Sequence, residues 1–175
     1  MIVAVTGTPG TGKTSVAEEL AELLSCEYVD VNSCSERSDV EVERDEERGA
    51  EAVDVDSLVD ALEDEVEDDA VLDGHLSHHF PADLTVVLRC EPGELRARLE
   101  EKGWSEEKIE ENVEAEVLDL ILQEAVSERE RVAEIDTTGK EPREVAKRVK
   151  RLVDMGEVPD ENLPGQVDWT GEYYG

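Results

Sequence analysis

Ile2-Val3-Ala4-Val5-Thr6-Gly7-Thr8-Pro9-Gly10-Thr11-Gly12-Lys13-Thr14-Ser15 opens the chain with an apolar, partly β-branched run and a glycine-rich turn. A helical pattern follows, with Val16, Leu20, Leu23 and Leu24 on one face. Residues 7–14 match GxxxxGK[ST] in full. Chance produces such a match in a chain of this composition with a probability on the order of a few in a thousand. An ordinary glycine-rich strand-to-helix turn is the competing reading; the complete motif between a strand and a helix pattern argues against it. The chemistry explains the residue types. Gly10 and Gly12 let backbone N–H groups turn inward around phosphate oxygens, and the helix N-terminus adds partial positive charge. Lys13 is expected to reach the β- and γ-phosphates of ATP, Thr14 to bind Mg²⁺, and Ser15 to meet the α-phosphate.

Further along, strands keep alternating with helices. Tyr28–Val31 reads as a second strand, and residues 36–56 as a polar, acidic excursion that is mobile or partly helical. Ser57 is placed to cap a helix carrying Leu58, Leu62 and Val66. Ala70–Leu72 reads as a strand ending at Asp73, and Leu84–Cys90 is the strongest strand signal. Pro92 starts a helix with Leu95 and Leu99; Gly103 breaks it. Ser105 is then expected to cap one long helix from Ile109 to Ala125. Val132–Ile135 is a last strand, and Pro142 opens a helix with Val145, Val149 and Leu152. This order predicts an α/β fold, a parallel sheet with helices on both faces. The Gly- and Pro-containing tail after Gly156 is expected to dock loosely.

The chain has 175 residues, enough for one domain, with 48 acidic and 17 basic side chains and a formal charge of −31. Such a surface excludes broad nucleic-acid coating and docking on anionic membranes. High charge with modest hydrophobicity suits either disorder or a fold adapted to a salty cytoplasm; the periodic apolar segments favour the second. Cys26, Cys34 and Cys90 form no CxxC pair and predict reduced thiols. With neither a signal peptide nor a membrane span in the pattern, a soluble cytoplasmic protein is expected.

Asp73 follows a strand and is the candidate second partner for Mg²⁺; capping the next turn is its other reading. His75, His78 and His79 match no zinc spacing, and Pro81 opposes a helix that would gather them, so a metal is not the expectation. His75 is read instead as orienting a water or phosphate oxygen, or as packed. Arg89, Arg96, Arg98, Lys102 and Lys108 are retained cations in an acidic chain. They suit charge neutralisation in phosphoryl transfer, or surface pairing with Glu94, Glu100 and Glu101.

These residues together resemble the adenylate kinase family, in its isoenzyme-six branch. The resemblance covers about residues 1–155 and rests on Thr6–Thr14, Asp73-Gly74-His75 leading to Phe80-Pro81, Val87-Leu88-Arg89, Arg98–Trp104 and Asn112–Glu116. It implies a P-loop nucleoside-monophosphate-kinase fold with a five-stranded parallel sheet. It also implies a monophosphate-binding arm near 30–53, a short lid near 101–111, and a separate tail at 156–175. The implied activity is γ-phosphate transfer from Mg²⁺-ATP to AMP or a related monophosphate, alongside ATP hydrolysis. Gly10, Gly12, Lys13, Thr14 and Ser15 match its phosphate-binding positions, Lys102 the lid entrance and Lys140 the adenine loop. Asp73 and His75 match its magnesium and water-positioning segment. Arg37, Arg89 and Arg98 are the candidate monophosphate ligands. The lid lacks the arginine pair of larger adenylate kinases. The branch also implies a role in small-ribosomal-subunit maturation, with a basic platform ribosomal protein as partner. A kinase of another small metabolite is the remaining P-loop alternative; the chain has no [NT]KxD guanine motif.

Overall fold

In the computed structural model, residues 1–33, 42–45, 50–53, 55–66 and 68–173 are described. β1 (Ile2–Gly7) lies at the centre of a five-stranded sheet, flanked by β5 (Ala70–Asp73) and β6 (Leu84–Arg89). β2 (Glu27–Asp30) pairs outside β5, and β7 (Val132–Asp136) outside β6. All four pairings are parallel, as the βα alternation predicts. Because the order reverses on either side of β1, the crevice at its carboxyl end is where such sheets bind ligands.

Side-chain alternation along the strands divides the core into two faces. On one, Val5, Val71, Val86 and Ile135 pack with Val16 and Leu20 of α1 (Lys13–Leu24) and with Val145, Val149 and Leu152 of α6 (Pro142–Met155). On the other, Ala70 and Leu72 pack with Leu58 and Leu62 of α2 (Val55–Glu65). Val87 there meets Leu122 and Ala125 of α5 (Leu120–Glu128). Leu95 and Leu99 of α3 (Pro92–Glu101) join Ile109 and Val113 of α4 (Glu106–Val117) in a smaller cluster.

Several expectations change. The helix expected to run unbroken from Ser105 is two helices, α4 and α5. Asp119 between them adopts φ 56°, and its carboxylate turns inward to Arg89. Ser105 does cap α4, its Oγ accepting the Lys108 N–H at 3.4 Å. Ser57 sits inside the first turn of α2 rather than capping it. Within the acidic excursion, β3 (Val42–Asp45) and β4 (Ala50–Val53) pair antiparallel, where a mobile or partly helical segment was expected. Arg37 and much of the expected arm lie outside the described residues.

The tail is held firmly. Asn162 is buried and donates to the Glu134 carbonyl at 3.2 Å. One Glu134 carboxylate oxygen accepts the N–H groups of Gly165, Gln166 and Val167 at 2.9, 2.7 and 3.2 Å. A buried carboxylate requires such donors, and no local pattern in the tail signals that it supplies them. α7 (Thr170–Tyr173) closes the described chain.

Candidate active site

The turn between β1 and α1 wraps an open cradle. Gly7 adopts φ 139°, and a Cβ there would lie 2.4 Å from the Leu88 carbonyl oxygen. Gly10 adopts φ 95°, and a Cβ there would meet Leu95 at 2.8 Å. Any side chain at either position would push the loop off the sheet or off α3. Thr11 closes the turn from within, with its N–H and its hydroxyl both donating to the Thr8 carbonyl at 3.2 and 2.8 Å.

Lys13 folds back over this turn and donates to the Thr8 carbonyl at 3.1 Å. Desolvation pulls its ammonium from the ordinary 10.5 down to about 8; the Asp73 charge opposes that shift and Lys102 adds to it. Thr14 donates its hydroxyl to Asp73 Oδ2 at 2.6 Å, and Tyr28 donates to the same oxygen at 3.0 Å. Burial and the Asp73 charge push the Tyr28 phenol well above its usual range. The other Asp73 oxygen, Oδ1, is buried with no hydrogen-bond partner among the described residues. An orphaned carboxylate oxygen beside the Thr14 hydroxyl, at the mouth of a phosphate-type loop, fits the hard-oxygen preference of Mg²⁺.

His75 follows on the loop after β5, its side chain exposed. Partial desolvation, then the charges of Lys13 and His79, lower its pKa and so favour the neutral ring. Arg98 reaches from α3 to the Gly10 carbonyl at 3.2 Å and also pairs with Glu94. Glu94 in turn accepts the Gly139 N–H at 3.0 Å, joining Arg98 to the loop after β7. Lys140 on that loop faces Asp136 at 3.4 Å. A groove of about 550 Å³ runs past these groups, lined by Gly10, Gly12, Lys13, Thr14, Ser15, Arg98, Lys102 and Lys140. Its size suits a small-molecule ligand.

Arg89 requires a correction. Expected as a monophosphate ligand, it is 1% exposed and does not line the groove. Its Nε donates to Glu116 Oε1 at 2.8 Å, its Nη1 to Glu134, and its Nη2 to the Glu116 carbonyl and Asp119. Pulling the guanidinium out would strand three carboxylates, a cost of several kcal/mol at such buried pairs. Arg96 pairs at the surface with Glu106 and Glu110 rather than with Glu94, Glu100 or Glu101, and Lys108 lies over the Trp104 ring.

Glu116 was not anticipated as a site residue. Its Oε2 accepts the Thr8 hydroxyl at 2.6 Å, and its Oε1 accepts Arg89, the Cys90 N–H at 3.1 Å and Trp169 Nε1 at 3.3 Å. The cradle is thus braced from behind by a buried ion cluster. The sequence offered two signals: an acidic residue between the inward-facing Val113 and Val117, and its place at the end of the Asn112–Glu116 stretch that carries the family resemblance.

Comparison with known proteins agrees with this geometry. Residues 3–119 match the family described as "AAA domain". A protein of Pyrococcus furiosus named "Putative adenylate kinase" is 49% identical over 175 residues, covering 99% of this chain and 93% of its own. A Natronomonas pharaonis protein of the same name is 44% identical over 172 residues, covering 97% and 98%. The fold also resembles that of a shikimate kinase from Acinetobacter baumannii solved with shikimate. That match has a TM-score of 0.64 and 17% identity, over 90% of this chain and 95% of the other. The family match spans both the cradle and Asp73, and the relatives align along nearly their whole lengths: the chain belongs to this AAA domain family.

Proposed function

We propose that the protein is a nucleoside-monophosphate kinase of adenylate kinase type, transferring the γ-phosphoryl group of ATP to AMP or a related monophosphate. One observation carries the reading: the unpartnered, buried Asp73 Oδ1 beside Thr14, at the mouth of a glycine-rich loop backed by Lys13. The relatives' shared name supports the same chemistry.

Inward-facing loop amides and the α1 N-terminus hold phosphate oxygens. Lys13 exchanges its Thr8 carbonyl partner for those oxygens. Thr14 and Asp73 would hold Mg²⁺, which would supply positive charge against the phosphates. Arg98 and Lys102, at the groove's edge, add positive charge where it spreads in the transition state. A monophosphate oxygen attacks the γ-phosphorus while the bond to the β–γ bridging oxygen breaks, releasing ADP. That nucleophile is already anionic, so no side chain has to remove a proton. Lys140, on the loop after β7, is assigned to the adenine side of the groove.

ATP hydrolysis is the second reading, favoured by neutral His75 beside the Asp73 loop, where it can accept a hydrogen bond from a water. The acid-rich surface suits a basic protein partner, such as the platform ribosomal protein implied by the family resemblance. A coupled assay in molar salt, with AMP, CMP, GMP or no acceptor, tests the proposal: ADP release is expected to depend on the acceptor. Release that ignores the acceptor would favour hydrolysis alone. Lys13→Ala is expected to abolish both activities, whereas His75→Ala lowers hydrolysis about tenfold or more and transfer much less. Equal losses would remove the role given to His75.

A further inference from the structure

We propose that His78, His79 and Glu124 form a binding site for a transition-metal dication of the zinc class, separate from the nucleotide groove. His78 and His79 end the short 3₁₀ turn Ser77–His79, and Glu124 faces them from α5. One ring nitrogen from each histidine and a Glu124 oxygen lie within 4.8 Å of one another.

The hydrogen bonds around His78 call for a cation. Its side chain is completely buried, and its Nδ1 lies 3.1 Å from the Thr6 hydroxyl. When that hydroxyl gives its own proton to the His75 carbonyl at 3.2 Å, Nδ1 is the donor to it. In the neutral ring Nε2 then carries a bare lone pair. Nε2 has no hydrogen-bond partner among the described residues and stands 3.3 Å from Glu124 Oε2, which is also an acceptor. Two acceptors held this close, one of them buried, repel unless a cation joins them.

A metal fits the spacing. Bonds of about 2.0–2.1 Å in a tetrahedral shell put neighbouring ligand atoms roughly 3.4 Å apart, close to the 3.3 Å observed between His78 and Glu124. Glu124 is half-exposed, with a side chain free to close the remaining distance. His79 already has the outer support typical of metal-bound histidines, its Nδ1 lying 2.8 Å from Glu128 Oε2. Two imidazoles and one carboxylate select a zinc-like ion over Mg²⁺ or Ca²⁺ and leave a position open to water. Arg129 is the opposing charge, but it is engaged by the His78 and His79 carbonyls at 2.8 and 2.7 Å. Glu124 and Glu128 outweigh it. A groove of about 560 Å³ that includes Asp56, Asp60, His79 and Glu128 gives access from solvent. An ion here would pin the turn that follows His75 to α5. The ligand spacing was invisible along the chain because the third ligand comes from a distant helix.

The test titrates Co²⁺, then Zn²⁺ in competition, into the full chain with excess Mg²⁺ and a non-chelating reductant. One equivalent is expected to bind, with the visible absorption of a four- or five-coordinate nitrogen–oxygen site. Glu124→Gln and His79→Asn are each expected to weaken it by about a hundredfold or more, with circular dichroism and Mg²⁺-ATP binding unchanged. Absence of binding, or equal affinity in both exposed-side variants, overturns the proposal. So does nitrogen-15 NMR showing the His78 proton on Nε2 with no response to Zn²⁺. That readout needs no variant at the buried position.

Discussion

Lys13 faces opposite demands in the free and ligand-bound protein. Its ammonium must be charged to hold phosphate, yet the pocket that holds it removes water and lowers its pKa to about 8 from 10.5. The unfolded chain therefore binds this proton more tightly than the folded one. It follows that Lys13 weakens the fold below pH 8, and that the penalty lifts as pH rises from about 8 towards 10.5. Nucleotide affinity runs the other way, since only the charged form binds well. Calorimetry of Mg²⁺-ATP binding is expected to show affinity falling about tenfold between pH 7 and 9. A Lys13→Met protein, having lost the titrating group, is expected to show weak affinity that does not change over this range. A flat profile in the unaltered protein would mean that the ammonium is not the group felt by the phosphates.

At the scale of elements, the tail, β7 and α4 form one electrostatic unit behind the cradle. Glu134 of β7 is shared between Arg89 and three tail N–H groups, and Trp169 donates to the same Glu116 that holds Thr8. Removing residues 160–175 leaves Glu134 Oε2 buried without those donors. We expect a loss of about 3–5 kcal/mol, the range for breaking a buried charged pair, read by urea unfolding in molar KCl. Trp169→Phe removes only the indole donor and is expected to cost about 1 kcal/mol. A truncated chain as stable as the full one would show that the tail merely rests on the sheet.

Over the whole molecule, a formal charge of −31 acts as distributed self-repulsion. The surface cations that do pair, such as Arg143 with Glu19 and Arg96 with Glu106, contribute little each in water. Salt therefore acts chiefly on the repulsion, whose range shrinks from about 10 Å at 0.1 M to about 3 Å at 1 M. Dialysis from molar KCl into dilute buffer is expected to lower the unfolding temperature and then the helical dichroism at 25 °C. An unchanged spectrum and melting curve would show that the core alone carries the fold.

Local pattern was enough for the five strands of the parallel sheet, the helix after the glycine turn and the position of Asp73 at a strand end. Each rests on neighbours in sequence: strand alternation, helical spacing, or backbone conformations that only glycine adopts without strain. The same reasoning misplaced Arg89, ran α4 and α5 together and left the tail loose. In each case the deciding partner lies far along the chain, as Arg89 with Glu116 and Glu134, Asp119 with Arg89, and Glu134 with Gly165. With so many carboxylates in the chain, a cation has many equivalent partners on paper. Only the packing of α4, β7 and the tail at the end of β6 removes water from a few of them, and desolvation is what makes a particular ion pair matter.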